Sequence, residues 1–213
     1  MESVSGEELD SVRFCLGKFA QAGCECRLAP LPDEIKDDPE YSHPASPVWY
    51  EGRSNLVAFR RGTGEGRSLI LQTHIDTVPA SDWEDAFLPR EDGDVIYGRG
   101  SCDAKGHIAA IWLAMAALEE MGVELKGELQ AQIVVEEEFG GNGALSMIRQ
   151  GYKADAVLVA ESTEMQIHPA NRGAIWFKIE IEGVPRHMGR KHEGISAIDL
   201  SYTVIQALYE ASQ

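Results

Sequence analysis

The sequence predicts an α/β fold with a mixed, mostly parallel sheet flanked by helices, and three observations support this. Short apolar runs end abruptly in charge, helical patterns alternate with those runs, and beyond residue 173 the pattern changes to that of a small α+β unit. Residues 68–73 (SLILQT) lead into His74-Ile75-Asp76, residues 129–135 (LQAQIVV) into Glu136-Glu137-Glu138, and residues 156–160 (AVLVA) into Glu161. A short continuous apolar run bounded by charge reads as a strand buried within a sheet. Open α/β sheets place their ligands at the carboxyl ends of such strands. One imidazole and several carboxylates are therefore expected on one rim.

Each element follows from local pattern. Ser5-Gly6-Glu7-Glu8 has the Ser-x-x-Glu spacing of a capping box and Gly23 is a terminator, so residues 7–22 read as a helix. Residues 24–29 read as a strand, and residues 30–47, with five prolines among acids, as a loop. Residues 55–60 (NLVAFR) form the next strand. Gly62-Thr63-Gly64-Glu65-Gly66 joins it to the strand at 68–73, which suggests an antiparallel hairpin between the two. A second hairpin is expected around Glu91-Asp92-Gly93-Asp94, leading to Tyr97-Gly98-Arg99-Gly100. Residues 107–120 make a helix apolar on nearly every face, which should be covered on both sides. A short helix over 144–150 separates the strands at 129–135 and 156–160. Residues 174–181 (AIWFKIEI) alternate like a half-buried antiparallel strand, 184–193 read as a loop and 196–211 as a helix. Two domains are expected, 1–172 and the incomplete 173–213. The sequence stops in the last helix with no C-terminal cap and no closing strand, and the expectation is a piece of a longer protein.

The 213 residues suffice for a real core. A formal charge of -16, from 35 acids against 19 lysines and arginines, argues against nucleic acid, whose binding requires neutralised phosphates. The start, MESVSGEELD, has no apolar stretch, so no secretory leader is expected. No segment approaches the roughly 18 to 20 continuous apolar residues of a membrane span. Cys15, Cys24, Cys26 and Cys102 lack the paired spacing of a cysteine zinc site and point to reduced thiols and a cytoplasmic location. The glycines near 98–106 and 140–141 compose no dinucleotide fingerprint.

The chemistry lies in the acids after the strands. Imidazole nitrogen and carboxylate oxygen are zinc ligands. His74 supplies the nitrogen, and Asp103, Glu137, Glu138 and Glu161 supply oxygens. Such an acid-rich set suits two ions about 3.5–4 Å apart, bridged by a carboxylate, as in two-metal hydrolases. Asp76, two residues beyond His74, lies on the same side of an extended chain and suits the other imidazole N–H. The residues alone leave Glu136, Glu137 and Glu138 equivalent. Asp103 also suits an N-cap for the helix after it. His43, His107, His168 and His192 read as structural or surface groups.

Four motifs then occur in order. HIDTVP (74–79), the run Trp83, Phe87, Pro89, YGRGSCDAKG (97–106) and EEEFGG (136–141) together resemble the zinc peptidase and deacylase family. That family includes acetylornithine deacetylase, succinyl-diaminopimelate desuccinylase, glutamate carboxypeptidase and aminoacylase, and the match covers nearly the whole chain. The resemblance implies a zinc-exopeptidase-like catalytic domain followed by the start of a lid or dimerisation domain, entered through Asn171-Arg172-Gly173. It implies two divalent ions, zinc first and cobalt or manganese as alternatives. His74 and Glu161 would bind the first ion, Asp103 would bridge both, and a cis peptide would follow at Asp103-Ala104. Asp76 would buttress His74, Glu137 would be the general base and Glu138 would bind the second ion. His187 would reach the active site of a partner in a homodimer.

The sequence departs from the family pattern at several positions. Glu136 stands where Asp is commoner, Ala104 where Met is usual, Ser162 where Pro often follows the ligand, and Met188 where a smaller residue is usual. None removes a ligating atom. The family's last metal ligand, a histidine after the lid, is not in this sequence. The implied reaction is hydrolysis of the amide bond of an N-acyl amino acid or short peptide. The alternatives are an inactive or truncated metal-binding homologue acting in dimerisation, and an aminopeptidase or dipeptidase on free N-termini.

Overall fold

Alternation of apolar segments with helices gives the first part of the chain its layers. The computed structural model describes residues 1–44, 47–170, 173 and 177–212, and divides them into two units, Met1–His168 and Pro169–Gln213. The first unit runs α1 (Leu9–Gln21), β1 (Glu25–Pro30), a 3-10 helix (Asp33–Asp37), β2 (Ser54–Arg60), β3 (Leu69–His74), β4 (Arg90–Asp92) and β5 (Val95–Tyr97). It continues with α2 (Lys105–Glu120), β6 (Leu129–Val134), α3 (Asn142–Arg149) and β7 (Ala156–Val159). Five strands make one sheet in the order β1-β2-β6-β3-β7, and β4 and β5 form a separate antiparallel ribbon. The pairs β6–β3 and β3–β7 are parallel, while β2 is antiparallel to both neighbours. Four strands thus share one direction and β2 alone opposes them.

The period of two in a strand sorts the core onto two faces. Leu56 and Ala58 of β2 pack with Val12 and Phe19 of α1 and with Ile108, Ile111 and Met115 of α2. Val57 and Phe59, the intervening residues, pack with Val134 and with Met147 of α3. Helices therefore cover both faces of the sheet. At the centre, buried Asn55 accepts the N–H of Val135 through Oδ1 and donates from Nδ2 to the carbonyl of Gly143, both at 2.9 Å. This one side chain ties β2 to the end of β6 and the start of α3. Gly143 is needed there, because a Cβ would stand 1.9 Å from the Val135 carbonyl oxygen.

The second unit holds a 3-10 helix (Met188–Glu193) within the expected loop 184–193, a bridge between Val184 and Ile195, and α4 (Ala197–Ala211). Ser196 caps α4 by accepting the N–H of Asp199 at 3.2 Å. Of the strand expected at 174–181, residues 174–176 lie outside the described residues and 177–181 carry no strand. Asn171 and Arg172, expected to begin the crossover, also lie outside the described residues. Among the described residues no helix is long and apolar enough to cross a membrane, and all four cysteines are free.

Several expectations need correction. β2 and β3 do not form a hairpin, because β6 lies between them. The glycine-rich turn instead crosses the entry to β6: Thr63 N–H donates to Leu125 O at 2.9 Å and Gly64 N–H to Lys126 O at 3.0 Å. That crossing is so close that a Cβ on Gly127 would lie 1.9 Å from Arg67 O. α2 buries one face, through Ile108, Ile111 and Met115, while Leu113 is 62% exposed. β7 is exposed along its length and is an edge strand among the described residues, paired to β3 alone. The Ser5–Glu8 pattern makes no side-chain cap, since both side chains engage Arg53 instead.

Asn55→Ala leaves a buried N–H and a buried carbonyl without partners, each worth about 1–3 kcal/mol. The expected loss of unfolding free energy is about 2–4 kcal/mol, measured by urea denaturation. A loss below about 1 kcal/mol would show that the tie is dispensable.

Candidate metal centre

The parallel register brings the strand ends to one rim. His74 stands opposite Val134, and Gln72 opposite Val159, so the segments that follow β3, β6 and β7 emerge side by side. His74 closes β3 and its side chain is 1% exposed. Its Nδ1 lies 3.0 Å from the backbone oxygen of Asp76 and 3.5 Å from the Asp76 carboxylate. The buttress expected of the Asp76 side chain is therefore supplied at closer range by its carbonyl. The Asp76 carboxylate, fully buried, instead accepts the backbone N–H groups of Glu137 and Glu138, each at 3.1 Å.

The other imidazole nitrogen, Nε2, faces carboxylates from three separate segments. Asp103 Oδ1 lies 2.8 Å away, and Glu137 Oε2 and Glu161 Oε1 each lie 3.8 Å away. His74, Asp103 and Glu138 can each offer one ligand atom with all three atoms within 4.8 Å of one another. Asp103 precedes α2 but does not cap it: the cap position is Ala104, with no side-chain bond. The Asp103–Ala104 peptide is cis.

The three glutamates after β6 separate sharply. Glu136 takes a left-handed φ of 61°, which ends the strand and sends its side chain into the interior. There it accepts from Tyr50 Oη at 2.7 Å, Asn142 Nδ2 at 2.8 Å and Arg53 Nη1 at 2.8 Å. Glu137 and Glu138 turn to the rim. Simple strand alternation would have placed Glu136 and Glu138 together.

Charge is crowded at this rim. Burial raises the Glu137 carboxyl above its usual range, and the charges of Asp76, Glu138 and Asp103 add to the rise against the opposing pull of His74. Burial likewise raises Glu138, with help from Asp103, and Glu161, with help from Glu137 and Asp103. For His74, burial works against the charged form, but Asp76, Glu137 and Glu161 outweigh it and push its pKa up to about 10. A group of desolvated carboxylates around one imidazole suits a cation, and its nitrogen and oxygen donors are those zinc accepts.

Sequence reasoning missed the residues behind the rim: Glu8, Tyr50, Arg53, Asn55 and Asn142. The one available signal was the polar run Arg53-Ser54-Asn55 at the head of an otherwise apolar strand. His187 belongs to the second unit, where it is exposed and its Nδ1 accepts the N–H of Gly189 at 3.2 Å.

The model of peptidase family M20/M25/M40 matches residues 70–207. The chain belongs to this family. The N-formyl-4-amino-5-aminomethyl-2-methylpyrimidine deformylase of Bacillus subtilis (strain 168) is 34% identical over 177 residues, covering 76% of this chain and 41% of the relative. The acetylornithine deacetylase of Myxococcus xanthus is 34% identical over 157 residues, covering 72% of this chain and 40% of that protein. The succinyl-diaminopimelate desuccinylase of Leptothrix cholodnii is 28% identical over 206 residues, covering 88% and 52%. The M20 chain thus spans about half or less of the length of these relatives. Among solved structures, a tripeptidase from Staphylococcus aureus superposes with a TM-score of 0.65 at 22% identity, covering 97% of this chain and 52% of the other. An M20 family metallo-carboxypeptidase from Sulfolobus solfataricus gives 0.57 at 22% identity, covering 74% and 34%. These likenesses establish the fold.

With divalent cations removed by chelation, the His74 pairing predicts a definite pH dependence. Its folded pKa, about 10, lies above the ordinary 6.5. The stability it contributes is full below pH 6.5 and is lost as pH rises through about 10. The stability difference between the parent and His74→Gln, from urea unfolding in EDTA, should therefore shrink from pH 6 to pH 10. A difference that grows over that range would contradict the pairing.

Proposed function

We propose that this chain carries the metal-dependent centre of an amide hydrolase acting on N-acyl amino acids or short peptides. The observation that carries this reading is His74 Nε2, at the end of β3, facing the carboxylates of Glu137 after β6, Glu161 after β7 and Asp103 before α2. Family membership supports it, and the deformylase, deacetylase and desuccinylase names of the relatives support an acyl group as the part released. In this reading His74, Asp103 and Glu161 would hold one divalent ion, and Asp103 and Glu138 would hold a second. Zinc is the first choice by donor type, with cobalt and manganese suited to the same ligands.

Such ions, when bound, acidify water and polarise a carbonyl oxygen. The remaining work falls to the side chains. Glu137 takes the proton of the attacking water as the O–C bond forms. It then delivers that proton to the amide nitrogen as the C–N bond breaks, leaving a carboxylic acid and a free amine, and the acid passes its remaining proton to the amine or to solvent. The Glu137 side chain, 48% exposed, is open to substrate. Asp76 holds the backbone of Glu137 and Glu138 in place through their N–H groups. Residues 173–213 would begin a lid, with His187 from a second copy steadying the carbonyl oxygen in a homodimer.

Elemental analysis of the dialysed chain tests the first step, and about two ions per chain are expected. Asp103→Ala should lose both ions and Glu138→Ala mainly one, so equal metal content in the two variants would remove Asp103 as the bridge. In a form of the protein that turns over N-acetyl amino acids, Glu137→Gln should keep its metal. Its kcat should fall by about 100-fold or more. Unchanged turnover in that variant would falsify its role as the base.

A further inference from the structure

Glu8, Arg53 and Glu136 form a buried ion triad that the proposed chemistry does not use. The three side chains are 1%, 5% and 0% exposed. Arg53 donates from Nη1 to Glu136 Oε2 at 2.8 Å and from Nε to Glu8 Oε2 at 3.2 Å. Its Nη2 bonds Glu8 Oε1 and, at 3.2 Å, Ser5 Oγ. Taking two carboxylates and a guanidinium out of water is costly, and apolar residues of similar volume would fill the same space without that cost. The triad therefore has to be explained by what it holds.

It holds two things. On one side is Glu136, whose left-handed backbone persists only where surrounding bonds over-determine it. On the other is the N-terminal segment, which grips the end of β3. Ser3 Oγ donates to Ile75 O at 2.7 Å, Thr77 N–H donates to Ser3 O at 3.0 Å, and Val4 bridges Thr77. Through Arg53 the segment after β3, bearing Asp76, and the turn after β6, bearing Glu137 and Glu138, are joined by one continuous set of bonds.

We propose that Arg53 is a positioning residue: by tying the N-terminal segment to Glu136, it fixes the turn that presents Glu137 and Glu138 to His74. Its functional meaning rests on the reading of Glu137 and Glu138 as base and metal ligand. A guanidinium fork can bond Glu8 and Glu136 at once, whereas a lysine ammonium cannot span both in the same way.

The test is Arg53→Lys in the full chain, followed by residue-resolved amide exchange and by zinc titration. The N–H groups of Glu137 and Glu138 should exchange roughly tenfold faster or more, while those of Ala131 and Ile133 within β6 keep the parent's rate. Zinc affinity should fall by about 10- to 100-fold, as when partners behind metal ligands are removed. Unchanged exchange at Glu137 and Glu138 overturns the proposal. Uniform acceleration that includes Ala131 and Ile133 also overturns it, since that is the signature of a stabilising role alone. If the parent takes up no zinc, the metal reading fails, and the exchange pattern still decides the role of Arg53. Should Arg53→Lys not fold, Glu8→Gln weakens the tie between Arg53 and the N-terminal segment, and the same exchange pattern decides.

Discussion

The parallel pairing of β3 with β6 and β7 is the constraint on which the rest of the site depends. Its register sets His74 beside Val134 and Gln72 beside Val159. It continues past the strands through Ile75 N–H to Val134 O at 2.9 Å and Ala160 N–H to Gln72 O at 2.7 Å. A slip of one residue would turn every side chain of a strand to the other face of the sheet. Leu71 and Thr73 would then exchange places with Gln72 and His74, and the imidazole would leave the rim. The packing of the two faces, with α1 and α2 on one and α3 on the other, opposes that slip.

The rim carries an arrangement unfavourable by itself. Glu137, Glu138 and Glu161 are each raised by burial and by one another or by Asp103, with imidazole charge as the opposing influence. Strain and crowded charge of this kind persist only where neighbouring bonds over-determine them. Here those bonds are two backbone N–H groups on Asp76, the cross-tie of Asn55, and the ring of donors around Glu136. Stability invested behind the rim offsets repulsion at it.

Sequence pattern conveyed the strand ends well, because an apolar run that stops in charge has few other readings. It also placed the β4–β5 ribbon, where Gly93 takes a φ of 59° in the expected turn. It failed where one local signal served two geometries. A glycine-rich linker between apolar segments reads as a hairpin, yet here it crosses the entry to β6 at a distance only glycine permits. The side chains of Glu136, Glu137 and Glu138 were not separable by alternation, because a left-handed residue breaks the period at the first of them. Glu8 reads as part of a capping box and Arg53 and Asn55 as a polar start to a strand, and neither pattern names the partners they bond. Each is buried by a partner more than forty residues away in sequence, and such pairing has no periodicity to reveal it.

The β4–β5 ribbon has an evolutionary consequence. It belongs to the stretch between Asp76 and Asp103, and both ends of that stretch are anchored independently: Asp76 by the amides after β6, Asp103 by His74. The intervening surface, with Trp83 42% exposed and Ile96 60% exposed, pairs with none of the five strands of the main sheet among the described residues. Loop closure becomes only slowly more costly with length, so insertions and exchanges there leave the anchored residues where they are. Descendants of this scaffold can vary the chemistry of that surface while inheriting the rim intact.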